Sequence, residues 1–163
     1  MKYFALTTSL DDDSLGRFID FFNQNKTEPC TIVIHCAGGG TYQQLAMSRM
    51  ISQIEDCTLF LSAAYSSAFY LAYTAKCKKI LSYTSKGMWH LGRADVSLSI
   101  ANKPYYHEDV VVIKNFEGEK RLSHSFAKKV MTAAEYKKYL DGQDIYFDFK
   151  RMKQIFPDAE VMK

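Results

Sequence analysis

The 163-residue sequence lacks several features that would assign it to a function class at once. It has three prolines, one tryptophan and a net charge of only +3, with lysine and arginine scattered along the chain. A charge balance this small does not predict a nucleic-acid partner. The longest uncharged run, Cys57–Ala75, contains five serine and threonine residues and is predicted to be a strand followed by a buried helix, so we expect no membrane span. The opening stretch MKYFALTTSLDDDS turns acidic early, and we therefore expect no secretory signal.

The cysteines and histidines lack the spacing of metal or redox motifs. The four cysteines are Cys30, Cys36, Cys57 and Cys77. They contain no C-x-x-C pair, and three of them lie in or beside apolar runs. Buried reduced thiols in a cytoplasmic protein are the simpler prediction, with disulfide bonds as the alternative. Three histidines have no ligand spacing with one another or with Cys36, namely His35, His107 and His124. We therefore expect no metal site and no cofactor.

Apolar periodicity in the first half of the chain predicts an α/β domain. Leucine, isoleucine and phenylalanine recur at helical spacing over Asp13–Asn25, directly after an acidic run that can cap a helix. A β-branched strand is predicted over Thr31–Cys36, a helix over Leu45–Ile54, a second strand over Cys57–Ala64 and a helix over Ser66–Ala75. KKILSY and GMWHL indicate two more strands. This alternation of strands and helices favours a sheet with parallel pairing.

The second half of the chain has a weaker pattern. Gly92–Phe116 is predicted to be an inserted loop or a short hairpin, and Glu119–Met131 a polar helix. Thr132 with Glu135 three residues later forms a capping box that opens another helix, which Gly142 closes. No repeat or linker divides the sequence, so we expect a single domain over residues 1–163.

Three features have the residue types of a catalytic site. The Gly38–Gly40 turn follows a strand and precedes a helix, where backbone N–H groups can bind an anion or a developing oxyanion. The junction at Ala63–Ser67 has small residues that let backbone approach a substrate. His90 lies on an aromatic strand, where a histidine is either a packed core residue or a general base.

The order of these pieces resembles the proteolytic subunit of Clp protease, within the wider ClpP/crotonase fold. The family has an I-N-S-P-G-G-type turn where this chain has IHCAGGG, and A-A-S-M-G-A-F followed by A-K-G-K-R where it has AAYSSAF and AKCKK. The family's V-M-I-H strand corresponds to GMWH, and D-R-F-L-S-A-P-E-A to KKVMTAAEY. The likeness covers roughly residues 31–90 and 128–145. It implies an α/β, ClpP/crotonase-like fold of repeated β-β-α units, in a single domain with a shortened handle region.

The resemblance also implies a serine peptidase site, which this sequence fills incompletely. Without gaps, the family's nucleophilic serine corresponds to Tyr65, its general-base histidine to His90 and its acid to Lys128. The oxyanion donors would be the backbone N–H groups of Gly39 and Ser66, the residue after the nucleophile position. A phenol is too long to replace a serine hydroxyl, and a lysine disfavours the imidazolium that a general base must form. This alignment implies a catalytically impaired member of the family.

A second alignment gives a working nucleophile. The related signal-peptide peptidases have an A-A-S-G-G-Y-Y-I-A helix, which places the serine on Ser66 when it is aligned on Tyr70–Ala72. An active serine hydrolase would then use Ser66 with His90, or with Lys128 or Lys129 as the base that those relatives employ. Three acidic residues could replace the missing acid if their segment folds back toward His90: Asp95, Glu108 and Asp109.

The resemblance carries expectations about partners as well. Family members assemble into rings through a helical handle after the histidine strand, so we expect a homo-oligomer and a peptide ligand. The spacing from His90 to Lys128 is short for a full handle, and Pro104 interrupts it. A third alternative, an acyl-CoA-binding crotonase relative, is disfavoured because those enzymes are usually considerably longer.

Overall fold

The computed structural model describes residues 2–91 and 107–162, with residues 107–117 and 119 as backbone alone. The chain divides into two compact units. The first contains Met1–Trp89 together with Tyr146–Lys163, and the second contains His90–Ile145. A single domain over residues 1–163 therefore stays a prediction.

Strands and helices alternate along most of the chain. In order, the elements are β1 (Lys2–Leu6), α1 (Asp12–Asn25), β2 (Cys30–Cys36), α2 (Thr41–Ile51), β3 (Cys57–Tyr65), α3 (Ser67–Thr74), β4 (Lys78–Trp89), α4 (His107–Val130), α5 (Ala133–Leu140), β5 (Ile145–Phe147), α6 (Phe149–Ile155) and β6 (Glu160–Met162). The sheet runs in the order β1-β2-β3-β4-β5, and β6 pairs with β4. The pairs β1–β2, β2–β3, β3–β4 and β4–β6 are parallel. The predicted α/β class with parallel pairing is confirmed.

Helix α1 begins where the acidic run predicted a helix start. Asp11 is the N-cap residue, and its carboxylate accepts a hydrogen bond from the Ser14 N–H at 2.8 Å. The Ser14 hydroxyl in turn accepts from the Asp11 N–H at 2.9 Å, which completes a capping box. These hydrogen bonds lower the pKa of Asp11, with the Ser14 backbone amide as the largest cause. The predicted helix from Asp13 starts one residue earlier, at Asp12.

The core of the first unit lies between the sheet and the helices that connect its strands. In β2 and β3 every second side chain is buried, as expected for strands covered on one face. Phe69 of α3 is fully buried, stacks on Phe147 at a centroid distance of 5.1 Å and meets the edge of Phe156 at 5.8 Å. These aromatic contacts join α3 to the C-terminal part of the chain.

One long strand replaces two predicted short ones. KKILSY and the first three residues of GMWHL belong to β4, which runs without a break from Lys78 to Trp89 and ends one residue before His90. β4 has more residues than β3 in this region, and the register between the two strands shifts there. Leu61 pairs with Leu81, whereas Ala63 pairs with Lys86. The Ser85 hydroxyl donates to the Leu61 carbonyl at this point and keeps the strand attached to β3. The polar stretch between the two apolar segments therefore lies within the strand.

The second unit contains a longer helix than the pattern predicted. Helix α4 begins at His107, so the part of the predicted loop or hairpin over residues 107–116 is wrong. Its β-branched valines favour a strand, but helix continuity outweighs this weak preference. The remainder of that prediction, residues 92–106, lies outside the described residues. The capping box of Thr132 and Glu135 is confirmed, and Tyr139 of α5 joins α4 through a 2.8 Å hydrogen bond with Ser123.

Four short elements were not predicted: β1, β5, α6 and β6. Among the helices that the structure describes, none is long and apolar enough to cross a bilayer.

A substitution at Gly87 of β4 tests the packing between this strand and α3. A Cβ at Gly87 would lie 2.6 Å from Met152 Sδ and 2.6 Å from Phe69 Cε2. We expect Gly87→Ala to lower the free energy of unfolding by about 1–3 kcal/mol, because the core has no space for the methyl group. Urea denaturation monitored by circular dichroism measures this change.

Gly16→Ala is the matched control for Gly87→Ala. Gly16 lies inside α1, and nothing is within 4 Å of its added Cβ. We expect this substitution to raise the free energy of unfolding by about 0.5–1 kcal/mol, because alanine is favoured over glycine within a helix. Equal effects at the two glycines would contradict the packing described for α3 and α6.

Candidate active site

The loops that follow β1, β2 and β3 meet at one edge of the sheet. Parallel strands place their carboxyl ends together, so the connections to the following helices become neighbours. The Leu10 N–H donates to the Gly38 carbonyl at 2.8 Å, and the Gly40 N–H donates to the Leu10 carbonyl at 2.7 Å. Leu10 is itself buried. These two hydrogen bonds fix the glycine turn against the first loop.

The glycine turn needs glycine at its first two positions. Gly38 has φ 101° and Gly39 has φ 146°, which L side chains rarely adopt. A Cβ at Gly38 would lie 2.7 Å from Ser66 Cβ and 2.7 Å from the Tyr65 carbonyl oxygen. The turn after β2 is therefore in direct contact with the turn after β3, as the two candidate sites of the sequence require.

Ser66 has the most unusual backbone conformation at this edge of the sheet. Its φ and ψ are 54° and −128°, and within the described residues it is the one non-glycine residue with positive φ. Such a conformation costs on the order of 1–3 kcal/mol and is found at functional sites. Ser66 stands between the last residue of β3 and the first residue of α3. A strained serine between a strand and a helix is the arrangement by which α/β-hydrolases expose their nucleophile.

The Ser66 amide, which the gapless alignment assigns as an oxyanion donor, is hydrogen-bonded within the sheet. Its N–H donates to the Met88 carbonyl oxygen of β4 at 2.8 Å. This hydrogen bond extends the β3–β4 ladder by one position, since Tyr65 pairs with Met88. The predicted role of this amide as an oxyanion donor stays a prediction.

Two other amides lie beside the turn with their donors unused. Within residues 2–91 and 107–162, neither the Gly39 N–H nor the Ser67 N–H donates a hydrogen bond. Ser67 is the first residue of α3, where helical N–H groups lack intrahelical partners. The Ser67 hydroxyl donates to the Gly39 carbonyl at 3.0 Å and holds these two residues together. Gly39 was predicted as an oxyanion donor from its turn, whereas Ser67 was not.

Tyr65 is the last residue of β3 and is half-buried. Its backbone belongs to the parallel ladder, opposite Met88. The residue at the turn is consequently Ser66, one position further along the chain than the gapless alignment placed the nucleophile. The hydrogen-bonded end of β3 accounts for this difference.

His90, Lys128 and Lys129 belong to the second unit. His90 is half-buried and directly follows β4, whereas Lys128 and Lys129 are exposed in the last turn of α4. Lys128 Nζ lies 5.9 Å from the ring centroid of Tyr136, at the distance of a cation–π contact. Asp95 lies outside the described residues, and Glu108 and Asp109 are described as backbone alone. Their predicted roles stay predictions.

The thiol of Cys36 lies against the glycine turn. Its thiol donates to the Thr8 carbonyl at 2.8 Å and accepts from the Gly38 N–H at 3.4 Å. Burial raises the pKa of Cys36 despite the hydrogen bond from Gly38, which keeps the thiol protonated and unreactive. In the described part of the chain, no group of three or more His, Cys, Asp or Glu residues could hold a metal ion.

Gln44 of α2 has a buried side-chain amide that the sequence did not indicate. Its side chain is fully buried, and neither amide atom has a hydrogen-bond partner among the described residues. One helical turn later, the Ser48 hydroxyl forms a 2.8 Å hydrogen bond with Thr74 of α3. Residues four apart share a helix face, so Gln44 faces α3 as well, one turn nearer to Ser67. A glutamine in a pattern of apolar residues gives no signal that its amide is buried.

Comparison with solved structures finds a similar fold. The chain is similar to the ClpP1 N165D mutant from Listeria monocytogenes, with a TM-score of 0.72 and 11% sequence identity. The similarity covers 99% of this chain and 91% of that chain. No family model and no curated protein sequence matches this chain. The chain therefore has a ClpP-like fold, as the sequence motifs predicted.

The strained backbone of Ser66 predicts the sign of the stability difference between two substitutions at this position. We expect Ser66→Gly to be more stable than Ser66→Ala by about 1 kcal/mol, because only glycine adopts φ 54° and ψ −128° without strain. Alanine is the better control since it removes the hydroxyl and keeps the Cβ. Chemical denaturation of both variants measures the difference.

Ser67 provides the comparison for Ser66. Ser67 has ordinary helical backbone, so Ser67→Gly is expected to be less stable than Ser67→Ala by about 0.5–1 kcal/mol. Ser66→Gly falling below Ser66→Ala would show that the turn is not strained.

Gln44 gives a second stability test. An unpaired buried amide costs about 1–3 kcal/mol, so we expect Gln44→Leu to raise the free energy of unfolding by that order. Ser48→Ala breaks the hydrogen bond to Thr74 and should lower it by about 1 kcal/mol. Thermal denaturation of the two variants distinguishes them, and a destabilised Gln44→Leu protein would mean that the amide has a partner in solution.

Proposed function

We propose that this protein is a serine hydrolase with a ClpP-like fold that cleaves peptide bonds, with Ser66 as its nucleophile. The observation that carries this proposal is the position of Ser66, at a strained strand-to-helix turn beside two unused amide donors. Acyl transfer requires a nucleophile and donors for the developing oxyanion. Here the Ser66 hydroxyl is the proposed nucleophile, and the backbone N–H groups of Ser67 and Gly39 are the proposed donors. The ClpP-like fold supports the same class of reaction.

The proposed reaction begins with attack of Ser66 Oγ on the carbonyl carbon of a bound peptide. The hydroxyl proton passes to a general base, a role that the family resemblance implies for His90. Negative charge then develops on the former carbonyl oxygen, where the N–H groups of Gly39 and Ser67 stabilise it. Imidazolium donates its proton to the leaving amine, and water hydrolyses the acyl-enzyme in the same way.

The assignment to Ser66 is preferred over Tyr65 because of the donors on each side. With Tyr65 as nucleophile, the next amide along the chain is that of Ser66, which is already bonded to Met88. With Ser66, the next amide is that of Ser67, which is unused within the described residues. The alignment that places the Ser66 hydroxyl at the turn therefore also places an unused amide, that of Ser67, directly after it.

The acid of the triad is the weak part of the site. Lys128 stands at the position of the family's aspartate, and a lysine cannot orient or stabilise the imidazolium. In serine proteases the loss of the acid lowers kcat by about 10⁴-fold. We therefore expect slow peptide turnover unless another carboxylate, such as Asp95, Glu108 or Asp109, replaces the missing aspartate.

Labelling with a fluorophosphonate probe tests the nucleophile directly. We expect the purified chain to form one adduct, on the peptide that contains Ser66, because an activated serine reacts with phosphorus even when deacylation is slow. Ser66→Ala should remove the adduct. Tandem mass spectrometry of the labelled peptide distinguishes Ser66 from its neighbour.

Ser67→Ala is the matched control for this experiment. It removes the hydrogen bond to the Gly39 carbonyl but leaves the Ser67 N–H in place, so we expect slower labelling at Ser66 and no loss of the adduct. An adduct on Ser67, or none in folded wild-type protein, would refute Ser66 as the nucleophile.

A catalytically impaired homologue is the second candidate function. It is favoured by the cation at the acid position, where Lys128 lies against Tyr136 within its own unit. In this case the cleft of a ClpP-like fold binds a peptide without cutting it, and no fluorophosphonate adduct forms. Binding of a fluorescent peptide by folded but unlabelled protein would support this second candidate.

Self-association fits both candidates. The first unit exposes several tyrosines by more than half of their surface, namely Tyr3, Tyr42, Tyr83 and Tyr146. Aromatic residues are enriched at protein interfaces, and the family resemblance implies a ring. We propose a homo-oligomer in a cytoplasmic setting, where free thiols such as those of this chain persist.

A further inference from the structure

Three cysteines lie side by side at the amino-terminal ends of neighbouring strands. Cys30 of β2 pairs in register with Cys57 of β3. The first pair between β3 and β4 joins Thr58 to Lys78, so Cys77, one residue before β4, falls beside Cys57 on the other side. We call Cys30, Cys57 and Cys77 the thiol row. All three are free thiols, of which Cys77 is the only one that is not fully buried.

The sheet holds the members of this row at a distance that suits disulfide formation. Neighbouring strands are about 4.7–4.9 Å apart, and disulfides join Cα atoms that are about 4.4–6.8 Å apart. Paired positions of parallel strands also direct their side chains to the same face. Cys57 is the central member, so it can meet either neighbour.

The surroundings of the three thiols make one of them more reactive than the others. A hydrogen bond from the Cys57 thiol lowers the pKa of Cys77, and the Lys79 cation and the Leu59 N–H lower it further against the opposing effect of burial. The same contact with Cys77, together with burial, raises the pKa of Cys57. Lys79 Nζ is held in place by the carbonyls of Ala75 and Cys77, at 2.8 and 3.2 Å.

The other two cysteines lack this combination. Burial raises the pKa of Cys30, and no lysine is among the groups that affect it. Cys36 lies at the opposite end of β2, and its thiol is occupied by Thr8 and Gly38. The thiol row therefore contains one half-buried cysteine whose pKa is lowered, Cys77, next to one buried cysteine, Cys57.

We propose that the thiol row is a peroxide-sensitive modification site, in which Cys77 is oxidised first and Cys57 then forms a disulfide with it. In the first step the Cys77 thiolate attacks a peroxide oxygen, the O–O bond breaks, and Cys77 becomes a sulfenic acid. In the second step the Cys57 sulfur attacks Cys77, the S–O bond breaks, and hydroxide leaves with the proton of Cys57 as water. Two thiols and one hydrogen peroxide give one disulfide and two waters.

This site is separate from the proposed catalytic serine. Cys57 begins β3 and Ser66 directly follows its end, so nine residues of extended strand place them about 30 Å apart. The disulfide would link β3 to β4 at the edge of the sheet opposite to Ser66. Its formation does not depend on whether Ser66 is a nucleophile.

Peptide mapping of the full chain tests the proposal. The folded protein is treated with hydrogen peroxide, blocked with N-ethylmaleimide and digested with trypsin, which cleaves after Arg49 and Lys76 and so separates the members of the row. We expect a cross-link between peptides Met50–Lys76 and Cys77–Lys78. In untreated protein, iodoacetamide should modify Cys77 roughly ten times faster than Cys36.

Single substitutions distinguish the two steps. In Cys57→Ala protein we expect a sulfenic acid on Cys77 that dimedone traps, because no resolving thiol remains. Cys36→Ala is the matched control and should form the cross-link at the wild-type rate. A Cys30–Cys57 cross-link, equal oxidation of all four cysteines, or over-oxidation of Cys77 without a disulfide in the wild-type chain would each overturn the proposal. Circular dichroism of each variant confirms that it is folded.

Discussion

The hydrogen bond from the Ser66 N–H to the Met88 carbonyl decides which side chain stands at the turn after β3. It keeps Tyr65 in the parallel ladder and forces the chain to reverse direction at the next residue. The reversal gives Ser66 its strained backbone and leaves the Ser67 N–H at the open start of a helix. The end of the pairing between β3 and β4 therefore sets three features: the position of Ser66, the Ser67 N–H beside it and the contact of Ser66 with the glycine turn.

Much of the fold could be predicted from local signals in the sequence. The acidic residues before α1, the β-branched run of β2 and the Thr132–Glu135 capping box act within a few residues, and each is found where it was expected. Elements that depend on distant partners were missed. Strand β1 is short and is stabilised by its pairing with β2, and β4 continues through polar residues because Ser85 bonds to β3.

The site was harder to predict than the fold because it depends on a shift of one residue. The glycine turn was recognised from its composition, and Gly39 has the unused donor that its place in the turn suggested. The sequence alone does not decide which residue corresponds to the family serine. Alanines on both sides allow either Tyr65 or Ser66 to be aligned with it. Only the ladder between β3 and β4 distinguishes these registers, and Gln44 gives no signal at all in the sequence.

Leu10 connects the glycine turn to the first loop of the chain. Its amide and carbonyl clamp the glycine turn from behind, and the loop that carries it is set by β1 on one side and by the cap of α1 on the other. The first loop thus supports the glycine turn, although none of its residues is among the proposed reacting groups. Insertions between β1 and α1 would therefore weaken the hydrogen bonds that hold the glycine turn, so this segment limits how much the length of the first loop can vary.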